Sequence, residues 1–296
     1  MNPSRTVTHG VLALLVLIWG TTWAAIRVGL EGLPPFTGVA VRFAIAAAVL
    51  LAVAFWRGWP LGSGPATHGL WLVNALLSFS VSYGVVYWAE QWVPSGLAAV
   101  LFSTFPLFVA IMAHFLLPGE RLRAASFAGI VLGFVGVLVI FSEDLPSLSG
   151  TPLRLAAVVF LVSPLVSALA NVIIKRYGAG LHPISLTAVP MAMTAGIMGI
   201  LAALVERGRG IALDPASTAA LLYLSILGTA LTFFLYFWLL DHLPATRLSL
   251  ITYGVPVVAV TVGSLFLDEP FTGRILVGAL LVLTGVAMAV RFGRPS

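Results

Sequence analysis

Residues 94–120 read PSGLAAVLFSTFPLFVAIMAHFLLPGE, and 150 residues further on residues 244–269 read PATRLSLITYGVPVVAVTVGSLFLDE. Each opens on a proline (Pro94, Pro244), carries a second proline deep in an apolar run (Pro106, Pro256) and ends on a glutamate (Glu120, Glu269). A run of about 20 apolar residues is what a helix needs to cross the hydrocarbon core of a bilayer. The runs are continuously apolar, whereas a strand of an outer-membrane barrel would alternate with period two. Both segments therefore read as transmembrane helices, and as two copies of one ancestral piece.

Outward from this pair the same kind of segment recurs. Ten apolar stretches cover 10–30, 36–55, 69–88, 95–117, 124–141, 153–174, 184–205, 216–240, 245–267 and 273–291. Proline or glycine punctuates the junctions, as at Pro34-Pro35, Gly58-Trp59-Pro60, Pro118-Gly119, Pro183, Pro215 and Pro270, where helices end or begin. The expected fold class is all-α, a polytopic membrane protein of ten transmembrane helices. Composition agrees: of 296 residues 60% are hydrophobic and 8% charged, against about a quarter charged in a soluble domain. The absence of cysteine excludes disulfides, a thiolate nucleophile and a sulfur-bound zinc. The first apolar run, preceded by Arg5, is too long for a signal-peptide core and lacks a small-x-small cleavage site, so it reads as a retained span.

With ten spans both termini share a side. That side receives nine basic residues, Arg5, Arg57, Arg121, Arg123, Lys175, Arg176, Arg247, Arg291 and Arg294. The other receives five, Arg27, Arg154, Arg207, Arg209 and Arg274. The positive-inside rule then places both termini in the cytoplasm. The acids lean the other way, with Glu31, Glu90, Glu143, Asp144, Glu206, Asp214, Asp268 and Glu269 outside. The net charge of +5 is spread over loops and does not point to nucleic acid.

The duplication extends along the chain. At offsets of 148 to 150 residues Ile26-Arg27 meets Ile174-Lys175, Pro35 meets Pro183, and Tyr87-Trp88 meets Phe237-Trp238. Glu120 likewise meets Glu269, Gly129 meets Gly278 and Gly136 meets Gly285. The halves are taken as 1–148 and 149–296, five spans each. Because five is odd, the second half enters the membrane from the opposite side. Inverted repeats are a recurring plan of secondary transporters, with the solute site at the repeat interface near the midplane.

Several motifs then resemble the EamA-type transporters of the drug/metabolite transporter superfamily. These are Ile18-Trp19-Gly20-Thr21-Thr22-Trp23 with Ile26-Arg27, Pro34-Pro35 with Val41-Arg42-Phe43, and the junction Ala89-Glu90-Gln91-Trp92-Val93-Pro94-Ser95-Gly96. Thr104-Phe105-Pro106-Leu107, Gly119-Glu120-Arg121 and Asp268-Glu269-Pro270 complete the pattern. The resemblance implies a secondary transporter of the inner membrane, commonly an exporter of amino acids, related metabolites or toxic compounds. The short four-span relatives carry a glutamate in their first helix; here the run from Gly10 to Leu30 has no carboxylate, so that coupling scheme does not transfer.

Polar side chains inside spans mark the candidate pathway, because each costs free energy unless satisfied. Ser80, Tyr83, Tyr87 and Glu90 recur every three or four residues and share one face of the third span. Trp19, Thr22, Trp23 and Ile26 form a stripe on the first, whose rings offer apolar walls and cation–π attraction for an amine, with ordinary helix packing an equal reading for Trp23. Ser163, Ser167 and Asn171 recur on the sixth span, where helix packing is an equal reading. Tyr236 on the eighth span and Ser103, Thr252 and Tyr253 beside the two deep prolines complete the pathway set. Pro106 and Pro256 are expected to bend the fourth and ninth helices beside a central cavity, as gating candidates. Arg42, about two turns into the second span, is the costliest residue and is expected to snorkel or to pair, with Glu31 and Glu90 as partners on the same side; an Arg42–Glu90 contact reads either as a gate or proton-coupling site or as a permanent structural ion pair. The glycine-rich fifth and tenth spans are placed at the periphery, each supporting its own half or touching a second subunit in a homodimer. No phosphate-binding loop, His-Glu-x-x-His motif or nucleophile elbow occurs, so neither an enzyme nor a cofactor or metal is expected. A non-transport membrane protein and an importer of the same fold are the competing readings. The partners expected are a small-molecule solute and the lipid bilayer.

Overall fold

The computed structural model describes residues 4–93, 95–120, 122–140, 142, 151–266 and 273–292. Pro94, Arg121, Glu143, Asp144, Asp268, Glu269, Pro270 and Arg294, all used above, lie outside these. The described chain is all-helical, and its helices fall where the ten stretches were read. They are α1 (Arg5–Gly32), α2 (Pro35–Arg57), α3 (Pro65–Ala89), α4 (Ser95–Phe102 with Phe105–Leu116) and α5 (Ala124–Ile140). The second half gives α6 (Thr151–Phe160 with Val162–Tyr177), α7 (Pro183–Val205), α8 (Pro215–His242), α9 (Ala245–Ser249 with Ile251–Phe266) and α10 (Gly273–Phe292). By length and composition α1, α2, α3, α6, α7 and α8 are each able to cross a membrane. The others are shorter or broken apolar helices.

Local chemistry sets the ends. Proline occupies the first turn of α2, α3, α7 and α8, where its missing N–H leaves no gap. Gly58 closes α2 in the left-handed region at φ 64°, its N–H returning to Ala54 and Phe55. Two helix starts are capped from far away in sequence. The Glu206 carboxylate accepts from the backbone N–H of Phe36 and Thr37, both at 2.8 Å. Glu120 does the same for Ala245 at 2.8 Å and Thr246 at 3.0 Å. Each places a negative charge on the positive end of a helix dipole.

The packing obeys a two-fold exchange of the halves. α2 packs along α7, and α5 along α10; α1 packs on α8 and α9, as α6 packs on α3 and α4. The α5–α10 pair joins the halves, so these helices do not each support their own half as expected. The glycine faces are used inside the chain. A Cβ on Gly129 would lie 2.8 Å from the Gly285 carbonyl oxygen, and one on Gly136 2.7 Å from that of Gly278. Because Gly129 matches Gly278 and Gly136 matches Gly285 in the repeat, the contacts cross over as a two-fold axis requires.

Each third helix of a half has one widened turn with i→i+5 bonds, Asn74–Val81 in α3 and Ile226–Leu231 in α8. Pro190 inside α7 withholds the N–H that would bond the Leu186 carbonyl. The Asn74 amide, at the start of the α3 wide turn, donates to that carbonyl instead. Thr194 on α7 donates back to Ala75 at 3.1 Å.

Two stability predictions follow from this packing. Gly285→Ala lowers the thermal midpoint in detergent, with an overpacking cost of about 1–3 kcal/mol. Gly196→Ala and Gly199→Ala, where a Cβ meets nothing within 4 Å, do not lower it, because alanine suits a helix interior better than glycine. Equal midpoints for all three would refute the close α5–α10 approach. Asn74→Leu strands the Leu186 carbonyl at a cost of about 1–3 kcal/mol. In a Pro190→Ala background the restored helical N–H takes that carbonyl, and Asn74→Leu costs measurably less; a double-mutant cycle with zero coupling would disprove the link.

Candidate functional site

A cavity open on one side lies where the halves meet. It is walled by α1, α3, α4, α6, α8 and α9, with Arg42 reaching in from α2. The wall is mainly aromatic. Trp19 packs against Phe233 and Tyr236 with centroids 5.6 and 5.5 Å apart, and Trp23 against Phe102 at 5.7 Å.

The helix irregularities surround this space. α4 is interrupted at Ser103-Thr104, between the lining residues Phe102 and Phe105. α9 is interrupted at Leu250, just before the lining residues Thr252 and Val255. The α3 wide turn brings Ser78 and Ser82 to the cavity, and Phe233 follows the α8 wide turn.

Of the residues singled out in the sequence, Trp19, Thr22, Trp23, Tyr83, Ser167, Asn171, Tyr236, Thr252 and Arg42 line the cavity. Ser82, Ser163 and Ser167 form a hydroxyl chain from α3 to α6, each link 2.8 Å. Asn171 donates to the Tyr236 hydroxyl, tying α6 to α8, while its carboxamide oxygen is buried without a partner.

The rest fall elsewhere. Ser80 faces α7 and donates to Thr194 at 3.4 Å, because the wide turn breaks the three-and-four spacing that put it on the Tyr83 face. Tyr253 is buried between helices, its hydroxyl donating to the Ile130 carbonyl at 2.8 Å and its ring lying where a Cβ on Gly133 would be. Ser103 folds back onto the Ala99 carbonyl at 2.8 Å. Pro106 opens the second piece of α4 rather than bending it from within, and Pro256 lies well beyond the α9 interruption.

The expected Arg42–Glu90 pairing is not made. Arg42, 1% exposed, donates through Nε to the Thr229 hydroxyl at 2.6 Å and through Nη1 to the Tyr87 hydroxyl at 3.1 Å. Its Nη2 donates to the Gly228 carbonyl at 3.2 Å. Thr229 and Gly228 belong to the α8 wide turn, so a backbone irregularity supplies the acceptors that a carboxylate was expected to supply. The Tyr83 ring stacks 4.9 Å from the guanidinium carbon. Tyr87 is therefore a support for Arg42 outside the cavity. Glu90 is fully buried and neither carboxylate oxygen has a partner. Its backbone carbonyl accepts from Arg27 Nη1 at 2.8 Å. The repeat-equivalent bond exists in the other half, from Lys175 Nζ to the Leu240 carbonyl at 2.6 Å.

Sequence reading missed Ser78, Ser82, Val86, Ala99, Phe102, Phe105, Phe233, Phe237 and Val255. Ser82 was within reach, since Ser78, Ser82 and Val86 also recur every four residues on α3. The phenylalanines sit in uniformly apolar runs that carry no signal of which face is wet.

The sequence model for the EamA-like transporter family matches the chain twice, over residues 8–142 and 154–291. The uncharacterized transporter YoaV of Bacillus subtilis is 29% identical over 282 residues, covering 95% of this chain and 96% of its own. The uncharacterized inner membrane transporter YedA of Escherichia coli K12 is 32% identical over 259 residues, 86% of this chain and 81% of its own. A solved crystal structure superposes with a TM-score of 0.83, covering 98% of this chain and 99% of the other; at 21% identity this likeness shows the fold alone. Two family matches spanning nearly the whole helical chain, together with the inverted pairing of its helices, establish that this protein belongs to the EamA-like transporter family and is a polytopic membrane transporter.

Proposed function

We propose that this protein is a secondary active transporter that exports amino acids or related small metabolites and toxic compounds by alternating access. It resides in the bacterial inner membrane with both termini in the cytoplasm, and the halves 1–148 and 149–296 are the units that rearrange. The observation that carries the reading is the aromatic cavity between halves whose helix contacts exchange under a two-fold operation. A fold whose halves pack by equivalent contacts has a second arrangement of closely similar energy, reached by exchanging their conformations. The interruptions in α4 and α9 and the wide turns in α3 and α8 border the cavity and supply the places where helices hinge.

The direct test is efflux from proteoliposomes loaded with amino acids, amines and aromatic metabolites, followed by mass spectrometry with and without an imposed pH gradient. One solute class leaves faster than from protein-free vesicles, and the gradient accelerates it. No excess efflux from folded protein would defeat the reading.

Proton coupling is assigned to Glu90, a buried carboxyl whose oxygens have no protein partner and whose carbonyl is held by Arg27. Glu90→Gln keeps the shape and removes the exchangeable proton. The variant still exchanges solute for solute across the membrane but loses acceleration by the gradient. Undiminished acceleration would place coupling at another group.

A further inference from the structure

Among the described residues one charged side chain lines the cavity. Arg42 is the single ionisable acid or base among the described lining residues apart from tyrosine, and no carboxylate lines the wall. A guanidinium has five N–H donors. In Arg42 one each from Nε, Nη1 and Nη2 goes to Thr229, Tyr87 and Gly228, so each terminal nitrogen retains a further N–H. All three acceptors are neutral. The group is held in a fixed orientation by hydroxyls and a carbonyl; Glu90 is within electrostatic reach but makes no hydrogen bond to it, so its remaining N–H groups are not taken by an acid. At a mainly apolar wall such a charge is screened less than in bulk water.

The remaining wall extends this into a binding surface. Tyr83, beside Arg42, lies 6.1 Å from Phe233, and Phe233 lies 6.5 Å from Tyr236. Tyr236 is bonded to Asn171, whose unpartnered carboxamide oxygen is buried at the cavity. A row of rings thus connects a guanidinium to a neutral polar group.

Resting on the reading of this cavity as the solute site, we infer that Arg42 receives a carboxylate and that the transported class is organic monocarboxylates with an aromatic or extended apolar body. Cationic amines are disfavoured. A carboxylate takes the two remaining N–H groups, the body lies along Tyr83 and Phe233, and a donor on the solute reaches Asn171. The tryptophan stripe, which in the sequence suggested attraction for an amine, serves as an apolar wall beside a positive charge.

Three probes with one skeleton test this: 3-phenylpropanoate, 3-phenylpropanamide and 3-phenylpropan-1-amine. Binding to the full-length protein in detergent is read by tryptophan fluorescence and thermal shift. The acid binds roughly tenfold or more tighter than the amide, and the amine binds weakest. Arg42→Gln levels the acid and amide, and Arg42→Lys retains a preference for the acid. If Arg42→Gln does not fold, the ranking in the unaltered protein and in Arg42→Lys decides. An amine that binds as well as the acid, three equal affinities, or no binding by any probe overturns the inference. Counterflow in proteoliposomes separates this from the transport reading. Acid binding with the expected ranking but no movement would sink transport and leave the site, whereas movement of the amine without the acid would sink the site and leave transport.

Discussion

In hydrocarbon no water is available to bond a backbone amide or carbonyl, so every such group must be satisfied by the chain itself. Uninterrupted helices meet that demand at once, but they leave no cavity and no hinge. This structure departs from ideal helices beside the cavity and then covers each departure with a side chain. At the α4 interruption the Ser103 and Thr104 hydroxyls add a second bond to the Ala99 and Leu101 carbonyls, which their own backbone N–H groups also bond, and at that of α9 the Ser249 and Thr252 hydroxyls bond the carbonyls of Thr246 and Ser249. Asn74 covers the carbonyl released by Pro190, and Arg42 takes one from the α8 wide turn. The polar residues of the membrane interior are therefore largely accounted for by repair of the backbone. What is left over among the described residues is the carboxamide oxygens of Asn74 and Asn171, the carboxyl oxygens of Glu90 and the remaining donors of Arg42.

The pseudo-symmetry orders these repairs. Arg27 and Lys175 are repeat equivalents, and each bonds a carbonyl in the last turn or C-cap of the third helix of its own half. A cation at the C-terminal end of a helix is favoured by the helix dipole. This gives Arg27 a structural reason to lie on the side that the positive-inside count leaves poor in basic residues. Its charge is fixed to the protein rather than free to set topology.

Much of this was legible in the chain. The placement of all ten helices followed from apolar run length and from prolines such as Pro35, Pro183 and Pro215, because hydrocarbon thickness and the missing proline N–H act locally. The repeat was legible because glycines at a backbone-to-backbone contact tolerate no larger residue, so Gly129, Gly136, Gly278 and Gly285 stand in register. The crossing of those glycines between halves was not legible, since a matching pair in sequence does not say which copy touches which. The wide turns were equally hidden. Neither NALLSFSV nor ILGTAL has composition unlike its neighbours, and an i→i+5 turn is imposed by what packs on it. That single omission produced two errors, turning Ser80 toward the wrong neighbour and assigning to Glu90 the acceptors that Thr229 and Gly228 provide.

The deepest asymmetry between the halves arises at one position. Arg42 in α2 is the repeat equivalent of Pro190 in α7, at the same offset of 148 residues that relates Pro35 to Pro183. Both sites tie the second helix of one half to the wide turn of the other half's third helix. At Pro190 the second helix offers a free carbonyl and the wide turn donates through Asn74. At Arg42 the second helix donates and the wide turn accepts through Gly228 and Thr229. The mechanical link is conserved between the copies while its polarity is reversed, and only one version carries a charge. A duplicated scaffold can thus retain symmetric contacts between its halves and still make the wall of the cavity between them positive on one side.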